Sequence, residues 1–386
     1  MQFHYISSVM QSDDFSELFA GRPNIPGQQV QKYHRLLIEG LAENGRKVHV
    51  ISSAPISSEN YPPKLYPGKK HPVGNITYRY LPVINLPGLK TLMQMLGSFF
   101  SVLTCRNKKE QVVICDVLNA SVSFGAVTAA KLRGIPCVGV VTDLPDMMVT
   151  CGNQKYVKLV NKNIWGCTHY VLLTEQMNEV VNPAHKPYTI IEGLCDIRMQ
   201  KMPVPTKKDE KACLYAGLLD ERYGVKTMVD AFLMADIPGA VFHIYGGGPY
   251  AEELSQVAET HPNIRFHGSV LNEAVVTAEL RASLLVNPRP TTEEFTKYSF
   301  PSKNMEYMVS GTPVLTTNLP GMPREYCDFV YLFEDESAEG MANTFRTLLS
   351  RSEDERRQTG AAAREFVLSQ KNNVSSAFKL IELLEK

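Results

Sequence analysis

The chain has 386 residues, enough for two or three domains with large buried cores. Forty Lys and Arg against forty Asp and Glu leave no net charge, which excludes a protein that gathers nucleic acid through a general basic field. The balance conceals two halves of opposite sign: residues 1–195 carry 19 basic and 13 acidic side chains, and residues 196–386 carry 21 and 27.

The opening MQFHYISSVMQSDDF lacks the basic start and apolar core of a signal peptide, and no uncharged apolar run reaches the length of about 18 residues that spans a bilayer. The expectation is a soluble, cytosolic protein, in which the Asn-x-Ser/Thr triplets at Asn75, Asn119 and Asn373 have no role. Eight cysteines form no Cys-x-x-Cys pair and read as reduced thiols.

Short apolar runs at 3–7, 47–52, 76–81, 111–116, 136–141 and 168–173 suit buried parallel strands and alternate with helical patterns. The helix over 28–44 repeats apolar residues at Val30, Tyr33, Leu37 and Leu41 and ends at Gly45. Residues 89–103 (LKTLMQMLGSFFSVL) form an apolar helix near Lys64, Lys69, Lys70, Lys90, Arg106, Lys108 and Lys109. Two readings stand: a surface for anionic lipid, or a core helix with a fringe of solvated lysines. The polar, Pro-containing stretch ending at Lys211 reads as a linker, placed at 196–211.

A second alternation follows, with strands at 212–216, 241–245, 264–266, 284–287, 313–316 and 329–333. The fold class is therefore α/β, with doubly wound domains at 1–195 and 212–371 facing a central cleft. The amphipathic helix 372–386, with Val374, Phe378, Ile381 and Leu384 on one face, can return to the first domain.

The richest stretch lies at 287–315 (NPRPTTEEFTKYSFPSKNMEYMVSGTPVL). A strand ends at Asn287, a loop carries Arg289, Glu293, Glu294 and Lys297, and Pro301 suits the first turn of a helix to about Val309. The amides of Ser302 and Lys303 would be free at the positive end of that helix, where an anion binds readily. Glu306, one turn inside, is placed to accept hydrogen bonds from hydroxyls on the same ligand. The plain alternative is a capped helix with solvated charges.

This stretch resembles the retaining glycosyltransferases of family 4, the bacterial polysaccharide-type group 1 enzymes of GT-B fold. There, two glutamates seven residues apart precede a Gly-x-Pro-Val-[Val/Leu] strand, and Glu306 in MEYMVSGTPVL matches the second. The resemblance implies that Glu306 binds a ribose diol. Tyr298 stands where the first glutamate would fall, so the role of holding the transferred sugar passes to Glu293 or Glu294, or is lost. Further matches are LYAG at 214–217 with Tyr223-Gly224-Val225, and HIYGGGP at 243–249, which gives Gly217, Gly246 and Gly247 at the donor. Gly27-Gln28 corresponds to a glycine pair whose amides face the distal phosphate, and 45–48 to the Gly-His-x-Val that follows.

The family's diphosphate-binding Arg and Lys would fall at Leu218 and Tyr223, so other cations must stabilise the leaving group. Arg222, Arg289 and Lys303 are the nearest, with Lys226 less suited; Arg289 and Lys303 flank the proposed helix start. In the first domain Thr142 stands where the family often has a sugar-contacting His. Asp143 follows it and can bind sugar hydroxyls, polarise the acceptor hydroxyl or simply cap the chain. Asp116 is a further polar group expected to face the cleft.

The resemblance implies a UDP- or GDP-linked sugar donor, a saccharide or polyprenyl-linked acceptor, no metal and no cofactor beyond the donor. The expected location is the cytoplasm, or the inner face of the plasma membrane where the acceptor is lipid-linked, and the neutral charge argues against a nucleic-acid partner. An epimerase or hydrolase of sugar nucleotides, or a non-catalytic partner of a synthase, are the competing readings.

Overall fold

Apolar runs such as 111–116 (QVVICD) are buried at every residue because helices cover both faces of the sheet they join. In the computed structural model, which describes residues 1–27, 29–147, 152–205 and 208–385, the first sheet has eight strands. Their order is Tyr188–Ile190, His169–Leu172, Cys137–Val141, Gln111–Asp116, Gln2–Ser7, Lys47–Ser52, Ile76–Tyr80 and Lys69–Val73. All pairs are parallel except the last. Lys69–Val73 was not legible as a strand: its residues KKHPV are mostly exposed, and Pro72 suits only an edge.

The second sheet runs Ile264–Phe266, Val241–Tyr245, Ala212–Ala216, Leu284–Asn287, Val314–Thr316 and Tyr331–Leu332, all parallel. One face packs Phe242 against Phe232 and Phe345 of the helices Val225–Ala235 and Ala338–Ser350. The other carries the helices Ser302–Ser310 and Glu353–Gln370, with Tyr307, Met308 and Phe366 in its core.

Two units result, 1–194 with 373–386 and 195–372. The closing helix Asn373–Glu385 lies on Gln29–Glu43 within the first unit, at contact so close that a Cβ on Gly40 would strike the Asn373 carbonyl. Asn44 Nδ2 donates to the Val374 carbonyl (2.9 Å), and Arg46 pairs with Glu385 (2.7 Å). The buried face is Ala377, Leu380 and Ile381, whereas Phe378, expected on it, is half exposed.

Residues 196–205 and 208–211, within the stretch for which the sequence suggested a linker, are held to the second unit. Arg364 donates to the carbonyls of Met199 (2.7 Å) and Met202 (3.0 Å), and buried Lys208 donates to Leu280 O (2.6 Å) and Thr312 Oγ1 (2.8 Å). Desolvation lowers the Lys208 pKa to about 8. The seven described cysteines are free thiols.

Candidate functional site

The Ser302–Ser310 helix is fixed at the carboxyl ends of three strands by two of its own side chains. Buried Asn304 accepts from Asn287 Nδ2 (2.7 Å) and donates to Thr316 Oγ1 (3.2 Å), while that threonine hydroxyl donates to the Asn287 carbonyl (3.0 Å). Tyr307 Oη accepts from the Ala216 amide (2.8 Å). Asn304, Met305, Tyr307 and Met308 thus face inward, which turns Ser302, Lys303 and Glu306 outward. Pro301 is the residue before the first turn and not within it. With Ser302 and Lys303 opening the helix, their amides lack an intrahelical acceptor.

Arg289 follows the end of Leu284–Asn287. Its guanidinium lies 4.8 Å from the Tyr223 ring centroid and 5.6 Å from that of Phe295, and the two rings meet edge to face. Burial pushes its pKa below the ordinary value, yet Nε is buried without an acceptor, and no carboxylate pairs with it among the described residues. The turn carrying Tyr223 is pressed onto this loop because Gly224, at φ 75°, leaves no room for a Cβ beside the Pro288 carbonyl.

The other proposed cations are differently placed. Arg222 is held by Asp220 (Nη2 to Oδ2 2.7 Å), and Lys226 by Glu253 (2.8 Å). Lys303 Nζ lies 2.9 Å from Glu306 Oε2, so two residues assigned separate contacts with one ligand touch each other. Leu218, where the resemblance puts an arginine, is half exposed.

The glycines after the first two strands of the second unit serve each other. The Gly217 amide donates to the Tyr245 carbonyl (3.0 Å) and that of Leu219 to Gly247 (3.0 Å). A Cβ on Gly246 (φ 134°) would strike the Gly217 carbonyl, and one on Gly248 that of Leu219. The missing side chains are therefore required by the neighbouring loop of the chain itself.

Glu293 precedes a single 3-10 turn, Glu294–Lys297, and its carbonyl accepts from the Thr296 amide (3.0 Å) and hydroxyl (2.6 Å). Its side chain is half-buried, that of Glu294 is exposed, and Tyr298 ends the turn. Both carboxylates therefore sit on the loop between Arg289 and the helix start.

In the first unit, Gly27 has open space where a Cβ would stand; Gln28 lies outside the described residues. Asp143 follows the strand Cys137–Val141. Its residue surface reaches solvent, but surrounding protein desolvates the carboxyl and, with the charge of Asp116, pushes its pKa up to about 6. Asp116, expected to face the cleft, is buried, with Oδ1 3.5 Å from His34 Nε2, and His34 Nδ1 lies 2.7 Å from Tyr5 Oη. The reason is His34 on the helix Gln29–Glu43, a residue that lies between the apolar positions Tyr33 and Leu37 of that helix.

Sequence alone assigned no role to Phe295, Asn304 or Tyr307, and marked Tyr223 only as standing where a lysine would fall. A signal existed for Asn304, a polar residue on the apolar face of its helix. Among the described residues no group of three or more His, Cys, Asp or Glu side chains is gathered as metal ligands are.

Residues 197–366 match the family model described as "Glycosyl transferases group 1". No curated protein matches the sequence. Among solved structures, sucrose-phosphate synthase from Thermosynechococcus elongatus is similar at TM-score 0.65 and 17% identity, over 100% of this chain and 98% of that one. Anabaena Alr3699/HepE in complex with UDP gives 0.63 and 12% over 100% of both chains. The lipopolysaccharide outer core galactosyltransferase WaaB gives 0.63 and 13%, over 100% and 99%. The chain has the two-domain, Rossmann-like GT-B fold, and the group 1 glycosyltransferase match lies within its second unit.

Proposed function

We propose that the protein is a retaining glycosyltransferase that moves a sugar from a nucleotide-diphosphate donor, UDP- or GDP-linked, to a saccharide or lipid-linked acceptor in bacterial surface-polysaccharide assembly. The observation that carries this reading is Arg289: a largely buried guanidinium with no carboxylate partner among the described residues, at a strand end beside a helix N-terminus. Such a cation is left uncompensated by its own chain and suits an incoming anion. The group 1 match over the same unit and the solved relative with UDP support a nucleotide as that anion.

In this mechanism the diphosphate sits against Arg289 and the amides of Ser302 and Lys303, with Glu306 accepting from the ribose hydroxyls. Lys303 leaves its contact with Glu306 and turns to phosphate when the ligand enters. As the bond from the anomeric carbon to the phosphate oxygen breaks, negative charge grows on that oxygen, where the guanidinium and the helix start stabilise it. The acceptor oxygen bonds to the same face of the anomeric carbon and gives its proton to the departing phosphate oxygen. No protein nucleophile and no metal are used. Glu293 or Glu294 holds the transferred sugar, Gly27 and Gln28 approach the distal phosphate, and Asp143 orients the acceptor hydroxyl.

The place of action is the cytoplasm, at the inner face of the plasma membrane when the acceptor is lipid-linked. A thermal-shift panel of UDP, GDP, ADP and their sugar conjugates tests the donor: a bound nucleotide raises stability by about 2.7 kcal/mol at a hundredfold excess over Kd. Transfer with the bound donor, followed by NMR of the product's anomeric coupling, tests retention. Donor turnover without any acceptor would instead indicate an epimerase or hydrolase.

A further inference from the structure

The helix Leu89–Leu103 is packed with its polarity inverted. Its buried residues are Gln94, Ser98 and Val102, while Leu89, Leu92, Leu96 and Phe100 are 39%, 51%, 46% and 53% exposed. These four recur at helical spacing and form one outward stripe. A core helix would bury them, so the core-helix reading of this segment does not hold.

The inversion follows from the inner contacts. The neighbouring helix Ala120–Arg133 approaches so closely that a Cβ on its Gly125 would strike the Met95 carbonyl and Ser98 Oγ. A Cβ on Gly97 would come 3.1 Å from the Leu81 side chain, and Gln94 donates to Ser53 Oγ. Gln94, Ser98 and Gly97 occupy much of that side beside Val102 and Met93, and Leu89, Leu92 and Leu96 are left outside.

Charge surrounds the stripe in one sign. Residues 60–109 contain eight Lys and Arg and no acidic residue. Some are already engaged: Lys69 pairs with Asp14 (2.8 Å) and Glu17 (3.0 Å), and Lys90 is held by the Ile56 carbonyl. Exposed cations remain at both ends of the helix. Lys64 stands at its start, where the Lys64 carbonyl accepts from the Asn85 amide (2.7 Å), and Arg106 and Lys109 stand just past its end.

We propose that this stripe, Leu89, Leu92, Leu96 and Phe100 with Lys64, Arg106 and Lys109 at its ends, docks on an anionic phospholipid bilayer. The helix lies parallel to the surface, its apolar side chains below the headgroups and its flanking cations among them. A lipid surface supplies both parts of the match, an apolar layer under an anionic one. A second copy supplies only the first, since it would bring two acid-free basic segments together. The inference rests on this surface and stands apart from the transferase reading.

The test is flotation of the full chain with vesicles of phosphatidylcholine alone and with about one quarter phosphatidylglycerol, at low salt and at about 0.5 M salt. The chain floats with the anionic vesicles at low salt, and binding falls with salt. Reversing Lys64, Arg106 and Lys109 to Glu lowers the partition at least a hundredfold, at about fivefold or more per cation. Leu92→Ser with Leu96→Ser and Phe100→Ser abolishes binding, while the thermal midpoint and nucleotide response of this variant stay those of the parent. No binding at low salt, or unchanged binding by either variant, overturns the proposal. So does a chain that is dimeric in solution and becomes monomeric on loss of the leucines. A chain that binds vesicles but no nucleotide refutes the donor site alone.

Discussion

The guanidinium of Arg289 lies 4.8 Å from the centre of the Tyr223 ring. The resemblance places a lysine at 223, and the structure places there an aromatic face carrying a cation from the next loop. Cation–π contact of this kind contributes about 0.5–2 kcal/mol, which fixes the direction of the guanidinium as well as its presence. Tyr223→Ala is expected to weaken nucleotide diphosphate binding by about three- to thirtyfold, and Tyr223→Phe by little. Titration calorimetry of the two variants checks this; equal losses would assign the effect to the hydroxyl instead.

Asn304 joins the helix start to two strands, and its loss strands the Asn287 side-chain amide. Asn304→Leu removes both hydrogen bonds, leaving the buried Asn287 side-chain amide without its acceptor and Thr316 with only its bond to the Asn287 carbonyl, at a cost of about 1–3 kcal/mol. Thermal melts are expected to show a drop of several degrees, and nucleotide affinity falls with it. A variant as stable as the parent would mean that the helix is held by apolar packing alone.

Gly246 and Gly27 separate two uses of glycine. Gly246→Ala drives a Cβ into the Gly217 carbonyl at a positive φ, so the expected loss is about 2 kcal/mol or more of stability. Gly27→Ala meets open space and leaves stability within about 0.5 kcal/mol of the parent. Any effect it has on nucleotide binding then reports contact with the ligand. Denaturant melts with a nucleotide titration for each variant read out both.

Asp143 supplies a pH test with a definite sign. Its pKa is raised to about 6 in the folded chain, above the ordinary carboxyl value, so the folded state holds this proton more tightly than the unfolded one. Stability from this group is present at low pH and falls as pH rises through the window up to about 6, then stays constant. Asp143→Asn is therefore expected to melt higher than the parent at pH 7.5 and level with it at pH 4. Where the carboxylate orients the acceptor, transfer declines as pH drops below about 6 and the asparagine variant loses that limb. Parent and variant profiles of the same shape would remove Asp143 from the reaction.

The two sheets were legible because parallel strands buried on both faces have no choice but to be apolar, and their runs stand out. The edge strand Lys69–Val73 escaped because exposed backbone pairing needs no such run. The contact of Asp116 escaped for a related reason: a strand-end aspartate looks free until His34, far off in sequence, is found against it. Ser302, Lys303 and Glu306 emerge on one face because helical spacing alone puts them there. The substitute cation is another matter. Which of Arg222, Arg289 and Lys303 is unpaired depends on Asp220 and Glu306 closing on two of them, and those distances are tertiary or rotameric facts.

Donor binding turns on Arg289 meeting a diphosphate. Titration of UDP and GDP into the parent chain and Arg289→Ala tests it most directly. One nucleotide binds the parent, and the variant binds it about ten- to a hundredfold more weakly, the worth of a charge-assisted hydrogen bond, with its melting point unchanged. Equal affinity of parent and variant for that nucleotide would mean that Arg289 does not touch the diphosphate.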